Sequence, residues 1–162
     1  MDISAAQQNP QITKFLQSNH TAVICTSNKQ TSEPHGAVVY FSITSRLHLY
    51  FVTKTDTTKH RNLQTNPQVA AVVYDTAAQK TVQIKGTARI LNDPQKLQTA
   101  LELMVQYSRD SASISTLPIS RLDAGQYVLY QIIPKVIRFG DFKYTPTEEI
   151  YQSVMPDDDS LV

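Results

Sequence analysis

Thr57, Thr58 and Lys59 put two hydroxyls and an ammonium where an apolar run gives way to a polar one. The stretch 50-YFVTKTDTTKHRNLQTNP-67 reads as a strand that turns and becomes a helix, starting near Asp56–Thr58 and running to Thr65. Asn66-Pro67 ends it, because the residue before a proline avoids helical angles. Capping explains the Asp and Thr side chains, which accept the free N–H groups of a first turn. It does not explain Lys59, since the positive end of a helix dipole disfavours a cation. An anion seated there removes the conflict by drawing in backbone N–H groups, hydroxyls and the ammonium together. Lys54 and Arg61 stand near in sequence and add charge. A capped helix with a solvated lysine and an anion seat both remain open on these residues alone. Asp56 fits an anion seat least well unless it points away as a cap.

Other reactive side chains give weaker signals. His20, His35, His48 and His60 show neither an i, i+4 pair nor a Cys/His spacing suited to zinc, so no metal site is expected. His35 heads an alternating strand and is the one candidate proton donor, with a surface histidine at a strand end as the plainer reading. Cys25 lies in the apolar run 22-AVICTS-27 and is expected to be a buried, unreactive thiol. A single cysteine permits no internal disulfide and suits a reducing compartment. With only four glycines there is no Gly-rich phosphate loop. The tyrosines 40, 50, 74, 127 and 130 fall in strands and read as packing residues.

The elements that must hold these groups are mostly strands. Asn9-Pro10 caps a short helix that offers Ile12, Phe15 and Leu16. Segment 21–26 reads as a strand. His35, Ala37, Val39, Phe41 and Ile43 share one face of the next, and 46–53 completes a hairpin. The unbroken run 69-VAAVVY-74 suggests a strand covered on both faces. In 81-TVQIKGTARIL-91, Val82, Ile84, Ala88 and Ile90 point inward while Thr81, Gln83, Lys85, Thr87 and Arg89 point outward; Gly86 marks a bulge or close approach. Asp93-Pro94 caps a helix with Leu97, Ala100, Leu101, Met104 and Val105 on one stripe. Strands 126–133 and 136–142 are expected to be separated by Pro134. About seven strands and two or three helices, without a repeating strand–helix–strand rhythm, predict a mainly β (α+β) protein: a small antiparallel barrel with flanking helices.

The 162 residues are expected to form one domain, 1–162, with 156-PDDDSLV-162 as a frayed tail. A net charge of +1 gives no global attraction to nucleic acid or to a membrane surface. Residues 1–10 lack the basic and apolar regions of a secretion signal, and no apolar run spans a bilayer, so a cytoplasmic location is expected.

The order of these pieces resembles the pyridoxamine 5'-phosphate oxidase-like, FMN-binding split-barrel superfamily. The matching segments are 34-PHGAVVYF-41, 49-LYFVTKTDTTKHRNLQTNP-67, 69-VAAVVYD-75 and 81-TVQIKGTARI-90, within residues 12 to 142. The resemblance implies a split β-barrel and a homodimer with FMN at the subunit interface. It implies that Thr57, Thr58 and Lys59 hold the FMN phosphate, with Lys54 beside them and Thr53 near the ribityl chain. It further implies that the backbone of Ala37, Val38 and Val39 follows the edge of the flavin ring, and that Thr81 and Gln83 face the cofactor across the interface. Asn62 is either a brace for the phosphate loop or a solvated helix residue. The oxidase itself has an arginine near His35 or Gly36, a basic residue at Thr58 and a glutamine at Thr81. Its C-terminal arginine–histidine motif has no counterpart in 135-KVIRFGDFKYTP-146. What carries over is the cofactor site, not the vitamin B6 substrate.

The resemblance implies an FMN-dependent oxidoreductase acting on a small molecule. A non-catalytic carrier or sensor of flavin, deazaflavin or haem is the alternative, and a purely structural dimer is the third.

Overall fold

The computed structural model describes residues 9–111, 126–143 and 151–154. The acidic end 156–162 lies outside the described residues. Helix α1 (Pro10–Ser18) starts where Asn9 Oδ1 accepts from the Gln11 N–H at 3.0 Å, and it buries Ile12, Phe15 and Leu16. Strands β1 (Thr21–Ser27), β2 (Pro34–Ile43) and β3 (Leu49–Lys54) follow. Then come α2 (Thr58–Thr65), β4 (Gln68–Asp75), β5 (Lys80–Leu91), α3 (Pro94–Ser111), β6 (Tyr127–Asp141) and β7 (Tyr151–Val154).

All strand pairs are antiparallel, in the order β3-β2-β1-β4-β5-β6-β7, and an extra β3–β6 pairing closes the first six into a barrel. The expected mainly β barrel with flanking helices is the observed architecture. Strand alternation fills its interior. Phe41, Phe51, Tyr130, Ile24, Leu49, Ile84, Ile132 and Ile137 are all at most 1% exposed, with Phe51 and Tyr130 stacked at 5.3 Å. Helix α3 packs on β2, β3 and β6 and covers the barrel's outside there, burying Ala100 and Met104. No described helix is long and apolar enough to cross a membrane.

Four local expectations are corrected. Pro134 does not divide two strands: β6 runs unbroken from Tyr127 to Asp141. Its missing N–H is tolerated because the register with β5 shifts between Lys85 and Gly86, with Gly86 opposite Pro134. A Cβ at Gly86 would lie 2.3 Å from the Ile133 carbonyl oxygen, so only glycine permits this approach. Cys25 is exposed rather than buried, because β1 turns Ala22, Ile24 and Thr26 inward and Val23 and Cys25 outward. Strand β4 is covered on one face only: Val69, Ala71 and Val73 are buried, whereas Tyr74 is exposed. Ile90 has inward parity but lies at the barrel mouth, 36% exposed.

Candidate functional site

The barrel is split where β2 and β3 diverge. Their pairing covers only Phe41–Ile43 with Leu49–Phe51, and the rest of β3 turns to β6. Over 34–40, β2 pairs with β1 alone, which leaves its other edge without a strand partner among the described residues. Ala37, Val38 and Val39 lie on that open edge; Val39 points into the core and Val38 outward, 70% exposed.

Helix α2 begins at the foot of β3 and packs against β1 and β2. The buried Asn62 donates to Thr26 Oγ1 at 3.1 Å, and Asn66 Nδ2 reaches Ser27 Oγ at 2.9 Å, so both asparagines tie the helix to the end of β1. Asn62 is therefore a buried brace, not a solvated helix residue. His35 stands directly across from Thr26 in the β1–β2 register, at the same end of the sheet. Its Nδ1 is buried with no hydrogen-bond partner.

The first turn of α2 divides its donors by use. Thr57 Oγ1 donates to the Lys54 carbonyl at 2.8 Å and accepts from the His60 N–H at 3.4 Å. It also lies 2.9 Å from Thr53 Oγ1, and because its one proton is spent on Lys54, Thr53 must be the donor. The Thr57 hydroxyl is thus saturated as a cap. Thr58 Oγ1 only accepts, from an Arg61 guanidinium N–H at 3.2 Å, and keeps its own proton. Arg61 also donates to the Asp56 carbonyl at 2.7 Å, so it braces the turn instead of facing an anion. The exposed Asp56 side chain makes no ion pair among the described residues.

Lys59 is half-buried, and burial pulls its pKa below the usual lysine value, with Asp56 opposing the shift. No carboxylate lies in ion-pair range of it among the described residues. The groups left to receive a ligand are the Thr58 hydroxyl, the Lys59 ammonium and the unshared N–H groups of that turn. Lys54 is buried and holds its ammonium 5.3 Å from the Tyr127 ring centre. Thr53 is fully buried.

Thr81 and Gln83 stand elsewhere. Thr81 is buried and donates to the Val73 carbonyl at 3.1 Å. Gln83 is half-exposed, at the end of a cross-strand row Val38–Val23–Val72–Gln83 on the outer face of β2, β1, β4 and β5. Val38 and Val23 are exposed, and Gly36, Cys25 and Ala70 make the adjoining row. This row is largely apolar, and among the described residues no element packs over Val23 and Val38.

The His60–Tyr130 contact joins residues 70 apart and has no signature in the spacing of residues. Tyr130 Oη lies 2.9 Å from His60 Nδ1, and burial lowers the pKa of His60 and raises that of Tyr130. His60 also borders a groove of about 490 Å³ at the barrel mouth, lined by Ile90, Leu97, Gln126 and Val128 among others. Among the described residues no group of His, Cys, Asp or Glu side chains is placed to hold a metal ion.

The family model for pyridoxamine 5'-phosphate oxidase matches residues 8–139, which take in the split, α2 and both faces of β5. The chain belongs to the pyridoxamine 5'-phosphate oxidase family. Solved structures share the fold at low identity. General stress protein 26 from Bacillus anthracis matches with a TM-score of 0.60 at 21% identity, covering 83% of this chain and 92% of that one. A pyridoxamine 5'-phosphate oxidase-related, FMN binding protein from Nostoc punctiforme matches with a TM-score of 0.62 at 12% identity, covering 94% and 98%. An F420 reductase matches with a TM-score of 0.60 at 21% identity, covering 76% and 93%. No curated protein sequence matches the chain closely enough to count as a relative.

Proposed function

We propose that this protein binds FMN with its phosphate at the start of α2, that two copies of the chain complete the site, and that the bound flavin serves in oxidation or reduction of a small molecule. Lys59 is the observation that carries the reading. A half-buried ammonium at the positive end of a helix, favoured only by the more distant charge of Asp56 and with no carboxylate in ion-pair range among the described residues, would be stabilised by an anion seated on that turn.

The residues present fit the cofactor. The Thr58 hydroxyl, Lys59 and the open N–H groups suit a phosphate, with Thr53 and Thr57 shaping the turn beneath it. The free edge of β2 at Ala37–Val39 offers backbone groups for the rim of a planar ring. The unpartnered His35 Nδ1, at the same end of the sheet, suits a polar ligand atom and makes His35 the candidate for holding a proton near the substrate. When bound, FMN supplies one- and two-electron chemistry, and the chain supplies orientation and exclusion of water.

The dimer is supported by the apolar outer face. A two-fold contact buries the same patch on both copies, so the Val38–Val23–Val72 row of one chain would bring Gln83 of the other toward the open β2 edge. Lys54 and Thr81 are buried within their own chain and contribute by position rather than by free donors. The family and the FMN binding relative from Nostoc punctiforme support the same cofactor.

A second reading is a deazaflavin in place of FMN, favoured by the fold shared with an F420 reductase. The test begins with the visible spectrum of the purified protein and a titration with FMN. A yellow chromophore or micromolar FMN binding is expected; no chromophore and no binding would sink the flavin reading. Steady turnover of the reduced holoprotein with oxygen, a quinone or a nitro compound separates an enzyme from a carrier.

A further inference from the structure

A second polar cluster lies on the outer face of β3, β5 and β6, toward the end of β3 away from α2. Gln131 is its centre. It is 4% exposed and stands between Tyr50 of β3 and Arg89 of β5 in the strand register. Its Oε1 accepts from Arg89 Nε at 2.7 Å, which fixes the amide orientation because an arginine can only donate. Its Nε2 therefore donates to Tyr50 Oη at 2.8 Å and to His48 Nδ1 at 2.9 Å. A histidine that accepts at Nδ1 is neutral and carries its proton on Nε2.

Every contact in this network uses up an acceptor. What remains are donors: the Tyr50 hydroxyl proton, His48 Nε2–H, the terminal N–H groups of Arg89, and Arg46 in the β2–β3 turn. The positive charges of Arg46 and Arg89 both bear on His48 and, with its burial, lower its pKa. Neither arginine has a carboxylate in ion-pair range among the described residues. The turn that carries Arg46 and His48 is held firmly. Leu47 adopts a left-handed φ of 59° while its side chain is buried, and its N–H bonds to the Thr44 carbonyl at 2.9 Å.

We propose that Arg46, His48, Tyr50 and Arg89 form a binding site for a small oxyanion, phosphate or carboxylate, preorganised by Gln131. Both guanidinium charges bear on His48 with no carboxylate in ion-pair range of either among the described residues, and an oxyanion would balance them while accepting the leftover donors. Phosphate and carboxylate both match the fork of an arginine, so the site selects for oxyanion geometry as well as charge. This site is independent of the one at Lys59, which lies on a different element.

The experiment follows the His48 ring by NMR through a pH titration, in protein with and without FMN. Millimolar inorganic phosphate, acetate, and chloride at matched ionic strength are the three additions. Phosphate or acetate, but not chloride, should raise the His48 pKa by about one unit in a saturable way, because a nearby anion favours the charged imidazole. The preferred anion identifies the ligand class. Arg46→Gln, a change at an exposed residue, should abolish the shift, and Arg89→Gln should do the same. An identical His48 titration with all three additions, or a shift that survives Arg46→Gln, would overturn the proposal. Retention of the effect in FMN-saturated protein separates this site from the one at Lys59.

Discussion

Asn62 Nδ2 donates to Thr26 Oγ1 across 3.1 Å, and this buried bond pins the helix that carries Lys59 to the end of β1. Two polar groups buried together are stable only as a pair. Asn62→Leu should leave the Thr26 hydroxyl without its donor and lower stability by about 1–3 kcal/mol, measured by urea unfolding. It should also weaken FMN binding, because the first turn loses its fixed position. A variant as stable as the parent would mean that the bond does not hold α2.

Gly86→Ala tests the crossing of β5 and β6. The added methyl would press on the Ile133 carbonyl oxygen at 2.3 Å, a backbone atom that cannot swing aside. We expect a loss of about 2 kcal/mol or more in thermal or urea unfolding, on the scale of overpacking in a rigid core. Full stability would mean that the bulge can widen freely.

Much of the architecture follows from strand alternation and caps that are visible in the sequence. Asn9, Thr57 and Asp93 cap their helices as their residue types require. Pro134 misled because its effect depends on what lies opposite, and the glycine bulge on β5 is a tertiary fact. Cys25 misled because an apolar run does not say which face the rest of the protein covers. Gln131 was a polar residue inside an apolar strand, which is a signal of a buried network, but its three partners lie 42 to 83 residues away. At the site, the residue types pointed to the anion seat. Which hydroxyl keeps a free proton depended on geometry: Thr58 does and Thr57 does not.

The His60–Tyr130 contact predicts a pH dependence at both ends. Folding lowers the His60 pKa from its ordinary 6.5, so the unfolded chain takes up the proton more readily than the folded one. Stability from this residue is complete above 6.5, falls as the pH drops below it, and levels off once the folded histidine is also protonated. His48 shifts in the same direction, so His60→Gln should reduce the acid slope without removing it. Tyr130 is raised above 10.0, so stability should also fall as the pH climbs past that value. Unfolding midpoints across pH would contradict this account if the acid slope were unchanged in His60→Gln.

The apolar outer face predicts the assembly. Val38→Asp places a charge at a 70% exposed position on the β2 edge of that face. The parent should sediment as a dimer and the variant as a monomer with weaker FMN binding. Cys25, two residues from Val23 on the same face, should react faster with a thiol reagent in the variant. A monomeric parent that still binds FMN would show that one chain suffices.

The central claim is that the phosphate of FMN is the anion that Lys59 lacks. Equilibrium titration of FMN and of riboflavin into the parent and into Lys59→Ala tests it most directly. The account predicts that the parent binds FMN more tightly than riboflavin, that Lys59→Ala weakens FMN by about 1.5–3 kcal/mol, and that riboflavin binding is unchanged. Equal FMN affinity in the parent and in Lys59→Ala would contradict it.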